Sequence, residues 1–202
     1  MISKVIILLP FAFILGSVPW GVILTRLFSD VDIRKAGSQN IGAYNVYRVA
    51  GKKLGVMTLL GDLLKGAIPV LAAVRCMEIS GWEGELSVCL VALSAFSGHL
   101  FSVFLGFKGG KGVATAAGCF LIMSPLVLLV CVLVYVLVLC TSGYSSAGSL
   151  SAAAVLPGAI WLATNSVPIT GCAFVMALLI FVRHAENIKR LLHGMEHSFR
   201  RD

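Results

Sequence analysis

From Gly112 to Val182 the chain runs for 71 residues without a single Asp, Glu, Lys or Arg. A stretch that long and that free of charge belongs in hydrocarbon, where each backbone polar group has to be bonded within its own segment, which makes helices the expected structure. The rest of the chain agrees. Of its 202 residues 58% are hydrophobic and only 12% charged, and the mean hydropathy is +0.97. The sequence therefore predicts an all-α polytopic membrane protein forming one domain over residues 1–202. Ser124-Pro125, Thr141 to Ser149 and Thr164 to Pro168 cut the charge-free run into four pieces of about 11 to 15 residues, the third interrupted again at Pro157-Gly158.

Three spans precede that run. The first covers about Ile2 to Leu27, enough to cross a hydrocarbon core of ~30 Å at ~1.5 Å per residue. Lys4 precedes most of it, whereas Arg26, Arg34, Lys35, Arg48, Lys52 and Lys53 follow, so the charge rule puts the loop after it in the cytoplasm and the amino terminus outside. A second span covers about Leu54 to Val74. Glu78, Glu83 and Glu85, against Arg75, then mark an external loop, and a third span, about Leu86 to Leu105, returns to the cytoplasmic side. The tail carries Arg183, Lys189, Arg190, Arg200 and Arg201 and also belongs in the cytoplasm, so an even number of crossings separates it from Lys111. Four of them give seven in all and place the serine-rich 141–149 segment on the cytoplasmic side. The six cysteines form no C-x-x-C pair and read as small hydrophobes, and neither a metal site nor a cofactor site is implied. The net charge of +7 falls in short clusters without an aromatic ladder, which argues against nucleic acid and for anionic lipid or anionic small substrates.

The polar residues are few and concentrated. Lys108-Gly109-Gly110-Lys111-Gly112 is a glycine-rich turn with two ammonium groups, a composition suited to cradling phosphate, yet it lacks the spacing of a nucleotide-binding Walker loop. As a bare motif it is equally a short basic turn between helices. Arg34 to Arg48 holds a hydroxyl (Ser38), carboxamides (Asn40, Asn45) and a guanidinium at each end, a dense set of phosphate-binding groups. The tail holds Arg183, His184, Asn187, Arg190 and Glu196; if helical, it puts His184 and Asn187 one turn apart on one face, and it equally suits a basic anchor on anionic lipid. Asp62 and Lys65 lie three apart inside the second span, where each charge costs about 2.5–3.5 kcal/mol unless paired or wetted. They read either as a self-neutralising pair or as groups that hold the neighbouring loop, and His99 in the third span reads either as a packing residue or as part of a relay. Three function classes fit these groups: an enzyme acting on phosphorylated substrates, an organic-anion transporter using Asp62, Lys65 and His99, and a non-catalytic lipid-binding protein.

Gly16-Ser17-Val18-Pro19, the Gly37 to Arg48 run, Asp62-Leu63-Leu64-Lys65-Gly66, Gly98 to Thr115, and Arg183-His184 to Glu196 occur in an order that resembles the bacterial acyl phosphate:glycerol-3-phosphate acyltransferase family. The resemblance implies a seven-helix enzyme of the bacterial cytoplasmic (inner) membrane with its motifs on the cytoplasmic face. It implies transfer of a fatty acyl group from acyl phosphate to the 1-hydroxyl of sn-glycerol 3-phosphate, giving lysophosphatidic acid and inorganic phosphate, the first acylation step of phospholipid synthesis. The partners implied are the two substrates, the lipid bilayer and an enzyme that synthesises acyl phosphate.

By position, the resemblance puts Ser38, Arg48, Lys111, Ser149, His184 and Asn187 around the substrates, with Ser146 a rival to Ser149. His184, Asn187 and Ser38 are thus the candidate catalytic residues. Arg48, Lys108, Gly109, Gly110, Lys111, Gly112, Asn40, Asn45, Ser146, Ser149 and Glu196 are the candidate binding residues, and the basic loops are expected to converge. The expected roles are phosphate binding by Arg48, Lys111 and Ser38, oxyanion or phosphate stabilisation by amides at Gly109 to Gly112, and proton removal by His184 oriented by Asn187, or by a substrate phosphate. Four positions depart from the family pattern: Trp20, Gln39, Tyr44 and Ser102. Gln39, standing where the family usually has glycine, bears most on the phosphate loop because a side chain disfavours positive φ there.

Overall fold

The computed structural model describes residues 2–77 and 80–199; Glu78, Arg200 and Arg201 lie outside them. Every regular element among the described residues is a helix: α1 (Ile2–Ser17), α2 (Trp20–Phe28), α3 (Ala43–Ala50), α4 (Lys52–Cys76), α5 (Gly81–Leu100), a 3₁₀ turn (Val103–Leu105), α6 (Val113–Met123), α7 (Pro125–Ser142), α8 (Ser145–Thr164), α9 (Val167–Arg183) and α10 (Ala185–Leu192). Four stretches, Lys52–Cys76, Gly81–Leu105, Pro125–Ser142 and Ser145–Thr164, are each long and apolar enough to cross a membrane; α1 with α2 and α9 with α10 form bent pairs that raise the number to six. The remaining apolar helix, α6, has 11 residues. At ~1.5 Å per residue it reaches only about 16 Å.

Three expectations about the spans are corrected. The first span is not one helix: it breaks at Val18-Pro19, where proline has no N–H to give, and α2 leaves α1 at 40°. The charge-free run does form four helices, but three are longer than expected, because α8 passes through Pro157 unbroken and the serine-rich segment is loop only at Gly143 and Tyr144. Ser142 Oγ bonds the Val138 carbonyl at 2.6 Å and Ser149 Oγ that of Ser145 at 3.0 Å, each in the preceding turn, so these two hydroxyls stay satisfied within a helix. Glu83 and Glu85 belong to the first turns of α5 rather than to a loop.

The chain divides into two compact units, Met1–Ile122 and Met123–Asp202. In the first, α1 packs on α5 and α4, and α2 and α3 pack on α4. Small residues set the crossings: a Cβ at Gly98 would strike the Phe13 carbonyl of α1, and one at Gly66 would strike the Thr115 carbonyl of α6. Without a strong hydrophobic drive between helices in lipid, such close backbone approach is what packing requires. A cluster of Val22, Leu24, Ile33, Ile41, Val46 and Leu54, flanked by Trp20, Val49 and Leu105, pins the 29–42 loop and α3 to the helices beside them. In the second unit, α8 packs between α7 and α9, and α10 touches both α8 and α9. Leu126, Leu133 and Leu137 leave α7 with a wide exposed apolar face, as a lipid-facing helix needs.

Candidate active site

In the first unit the 36–48 segment is organised by one side chain. Asn45 is 1% exposed, and its Oδ1 accepts from the Ser38 amide at 3.0 Å and from the Arg48 guanidinium at 3.2 Å, while its Nδ2 donates to the carbonyls of Ala36 at 3.1 Å and Asn40 at 2.8 Å. These four bonds use the full hydrogen-bonding capacity of a carboxamide. Asn45 therefore positions Ser38 and Arg48, and Asn40 enters through its carbonyl. Gly37 makes this possible: it sits at φ +58°, and a Cβ there would strike Asn45 Oδ1. Gln39 also takes a positive φ, +58°, despite its side chain, so the backbone of this loop is kept where glycine is absent.

The glycine-lysine turn is closed by α5. The amides of Gly109 and Gly110 donate to the carbonyls of Leu100 and His99, each at 3.1 Å. The expectation that these two amides face a substrate oxyanion is corrected, since backbone carbonyls hold them. Gly112, at φ +84°, leads into α6 against the Phe96 ring, and Lys111 beside it is half-buried. Lys108 lines a cleft of 440 Å³ with Arg34, Gln39, Ile41, Phe104, Leu105 and Gly109. Arg34 grips Asp32 through two bonds of 3.0 Å, and that hydrogen-bonded guanidinium holds the half-buried Asp32 carboxyl down at about 2. Beneath the turn, Lys65 pairs with Asp62 at 2.8 Å and donates to the Val18 carbonyl at 2.8 Å, both side chains being buried.

The second unit has its own hub, Glu196. Its Oε1 accepts from Ser146 Oγ at 2.8 Å and Asn187 Nδ2 at 2.7 Å, and its Oε2 accepts from Arg190 Nε at 2.8 Å. Burial pushes this carboxyl up, but the three hydrogen bonds and the Arg190 charge outweigh it and hold it below its ordinary value. His184, 3% exposed, caps the junction of α9 and α10 and donates from Nδ1 to the Ile180 carbonyl at 2.8 Å. That bond leaves the lone pair of the neutral ring on Nε2, the form a base needs. The ring is thus held by the Ile180 carbonyl, and Asn187 is held by Glu196. Of the rival serines, Ser146 joins the hub while Ser149 bonds back within its helix.

The comparisons with known proteins bear on both units. The model of the family described as glycerol-3-phosphate acyltransferase matches residues 6–194. The chain belongs to that family. The glycerol-3-phosphate acyltransferase of Syntrophotalea carbinolica is 47% identical over 194 residues, covering 96% of this chain and 97% of that protein. The crystal structure of PlsY, an integral membrane glycerol 3-phosphate acyltransferase, in its glycerol 3-phosphate form is 41% identical with a TM-score of 0.91, covering 97% of this chain and 96% of that one. Its lysophosphatidic acid form is 40% identical with a TM-score of 0.89, over 96% and 95%. The acyltransferase described here is accordingly an integral membrane protein. Sequence reasoning found the reactive residue types but missed Asp32 and Thr115, the latter because a lone threonine opening an apolar helix carries no signal of its partner, His99.

Proposed function

We propose that this acyltransferase moves a fatty acyl group from acyl phosphate to the 1-hydroxyl of sn-glycerol 3-phosphate, releasing lysophosphatidic acid and inorganic phosphate. The observation that carries the reading is the Asn45 hub, which anchors the Ser38 backbone and one donor of the Arg48 guanidinium on one oxygen in a chain of this family, so that the Ser38 hydroxyl and the other guanidinium N–H groups are the ones offered to phosphate. Lys111 supplies a second cation and Lys108 a third at the cleft. The donor already carries a good leaving group, so the protein has to position, neutralise phosphate charge and take one proton; no protein nucleophile is required.

In this scheme the 1-hydroxyl oxygen attacks the acyl carbon, the bond between that carbon and the phosphate oxygen breaks, and phosphate leaves with the electron pair. Ser38, Arg48 and Lys111 hold phosphate, and the hydroxyl proton passes to His184 Nε2. Asn187 and Glu196 keep the 184–196 segment in place for that transfer, with Ser146 and Ser149 as hydroxyls of the same unit. The reading makes 1–202 one acyltransferase domain of the bacterial inner membrane with seven crossings, α6 being the short one, the amino terminus outside and the reaction on the cytoplasmic side. The basic residues at 26–53 and 183–190 support that orientation. A separate enzyme would supply the acyl phosphate.

Purified protein given acyl phosphate and radiolabelled glycerol 3-phosphate should form labelled lysophosphatidate, and acyl-CoA in its place should not. Product from acyl-CoA alone would refute the donor assignment. His184→Ala, with glycerol 3-phosphate saturating, should lower turnover about 10²–10⁴-fold. An unchanged turnover would move the proton to a phosphate oxygen of the substrate.

A further inference from the structure

The buried groups below the glycine-lysine turn have no part in the chemistry above, yet they form a continuous chain that ends on it. His99 is 3% exposed, at the end of α5. Its carbonyl receives the Gly110 amide, and its ring lies so close to Gly110 that a Cβ there would strike Nε2. Nδ1 meets Thr115 Oγ1 at 3.1 Å, in the first turn of α6, and stands 3.7 Å from Asp62 Oδ1. Asp62 in turn is paired with Lys65, which is anchored on the Val18 carbonyl at the break of the first span. One histidine therefore touches the chain on both sides of Lys111: Gly110 through its own carbonyl and its Nε2 edge, and Thr115, three residues beyond Gly112, through Nδ1. Lys111 lies between those two anchors.

We propose that His99 is a positioning residue for the glycine-lysine turn, fixing Gly110 and Thr115 so that the Lys111 ammonium is presented to a substrate phosphate. The inference rests on the phosphate-binding reading of Lys111 and adds to it the group that sets its place. A packing histidine would need only its volume. This ring has instead a polar edge directed at a hydroxyl and a carboxylate, at a depth where an unpartnered polar atom is costly. A ring doing this work acts on substrate affinity, because misplacing a cation that grips phosphate in both ground and transition states raises KM more than it lowers kcat.

The test compares His99→Leu, which keeps bulk and removes both nitrogens, with His99→Asn, which puts polar atoms near the place of Nδ1. Full-length protein in nanodiscs is followed by amide hydrogen exchange and by steady-state kinetics, each phosphorylated substrate being varied in turn. His99→Leu should speed exchange at 109–112 about tenfold while leaving 185–192 unchanged, and should raise KM for at least one substrate about tenfold with kcat within about threefold. His99→Asn should return both readouts to within about threefold of the parent. Wild-type exchange at the turn in His99→Leu, a loss confined to kcat, or failure of asparagine to improve on leucine would each overturn the inference. Thr115→Val, which removes the ring's partner on α6, should raise the same KM about threefold, and serves if His99→Leu does not fold. If the parent protein forms no lysophosphatidate, the proposed reaction falls, and the exchange at 109–112 still decides whether His99 holds the turn.

Discussion

The 36–48 segment and the 184–196 segment solve one problem in two chemistries. Each is short and polar, a loop joined to a short helix, and each is closed by a single side chain that draws in groups distant in sequence. In the first the hub is a neutral carboxamide, Asn45, 1% exposed and bonded mostly to backbone. In the second it is an ionised carboxylate, Glu196, with 7% of its side chain exposed and bonded wholly to side chains. A carboxamide both donates and accepts, so it can tie two carbonyls to an amide; a carboxylate only accepts, so it gathers donors such as Ser146, Asn187 and Arg190. The first hub fixes a backbone path, whereas the second fixes a set of side chains.

That difference is open to test, beginning with the largest effect. Asn45→Leu should destabilise the protein by about 3–4 kcal/mol and abolish activity, because it strips four hydrogen bonds from a buried side chain and leaves the Ser38 amide and two carbonyls without their partner; unfolding in mixed micelles reads the loss. A smaller cost, about 2–3 kcal/mol, is expected for Glu196→Ala, since the Arg190 it frees is 32% exposed and can find water. Glu196→Gln should cost about 1 kcal/mol, as the shape survives while the negative charge facing Arg190 goes. If the two alanine or leucine variants prove equally damaging, the contrast between a backbone hub and a side-chain hub is wrong.

Acid should separate the hubs as well. The folded Glu196 carboxyl titrates below its ordinary value of 4.5, so its contribution is complete above that pH and is lost as pH falls through the depressed value. Corrected hydrogen exchange should therefore show protection of 185–196 fading below about pH 4.5 while 36–48, closed by a group that does not titrate, holds. The smallest effect goes the other way. Gln39→Gly relieves a left-handed residue worth about 1–2 kcal/mol and adds about 0.4–1 of unfolded-chain freedom, so thermal denaturation should show a gain of about 0–1.6 kcal/mol. A loss would mean that the Gln39 side chain, which lines the 440 Å³ cleft, does more than tolerate its backbone.

Much of the fold could be read in the residues because hydrocarbon leaves few choices. The charge-free run had to be helices, and Pro125, Gly143 and Asn165 with Ser166 stand where those helices part. Their lengths differ from expectation because proline and serine signal a break in water, whereas here Pro157 is carried inside α8 and Ser142 and Ser149 bond their own preceding turns. At the site, residue types were legible and wiring was not. Nothing local marks Asn45 as the hub over Asn40, nor Ser146 over Ser149, because the choice depends on which partner comes within about 3 Å. The misassigned amides of Gly109 and Gly110 follow the same rule, as their acceptors belong to residues nine and eleven positions earlier.

The kink after Ser17 imposes an order on biosynthesis. The Ser17 carbonyl is covered by Ser102, and Lys65 joins the Trp20 amide on the Val18 carbonyl; the two side chains are translated 85 and 47 positions after the oxygens they serve. Until those arrive, the leading helix pair carries under-satisfied acceptors that lipid tolerates poorly, and it has to wait beside water or the insertion machinery. A ribosome halted before codon 65 should therefore hold a nascent chain still extractable from the bilayer, and one halted well past codon 102 should not.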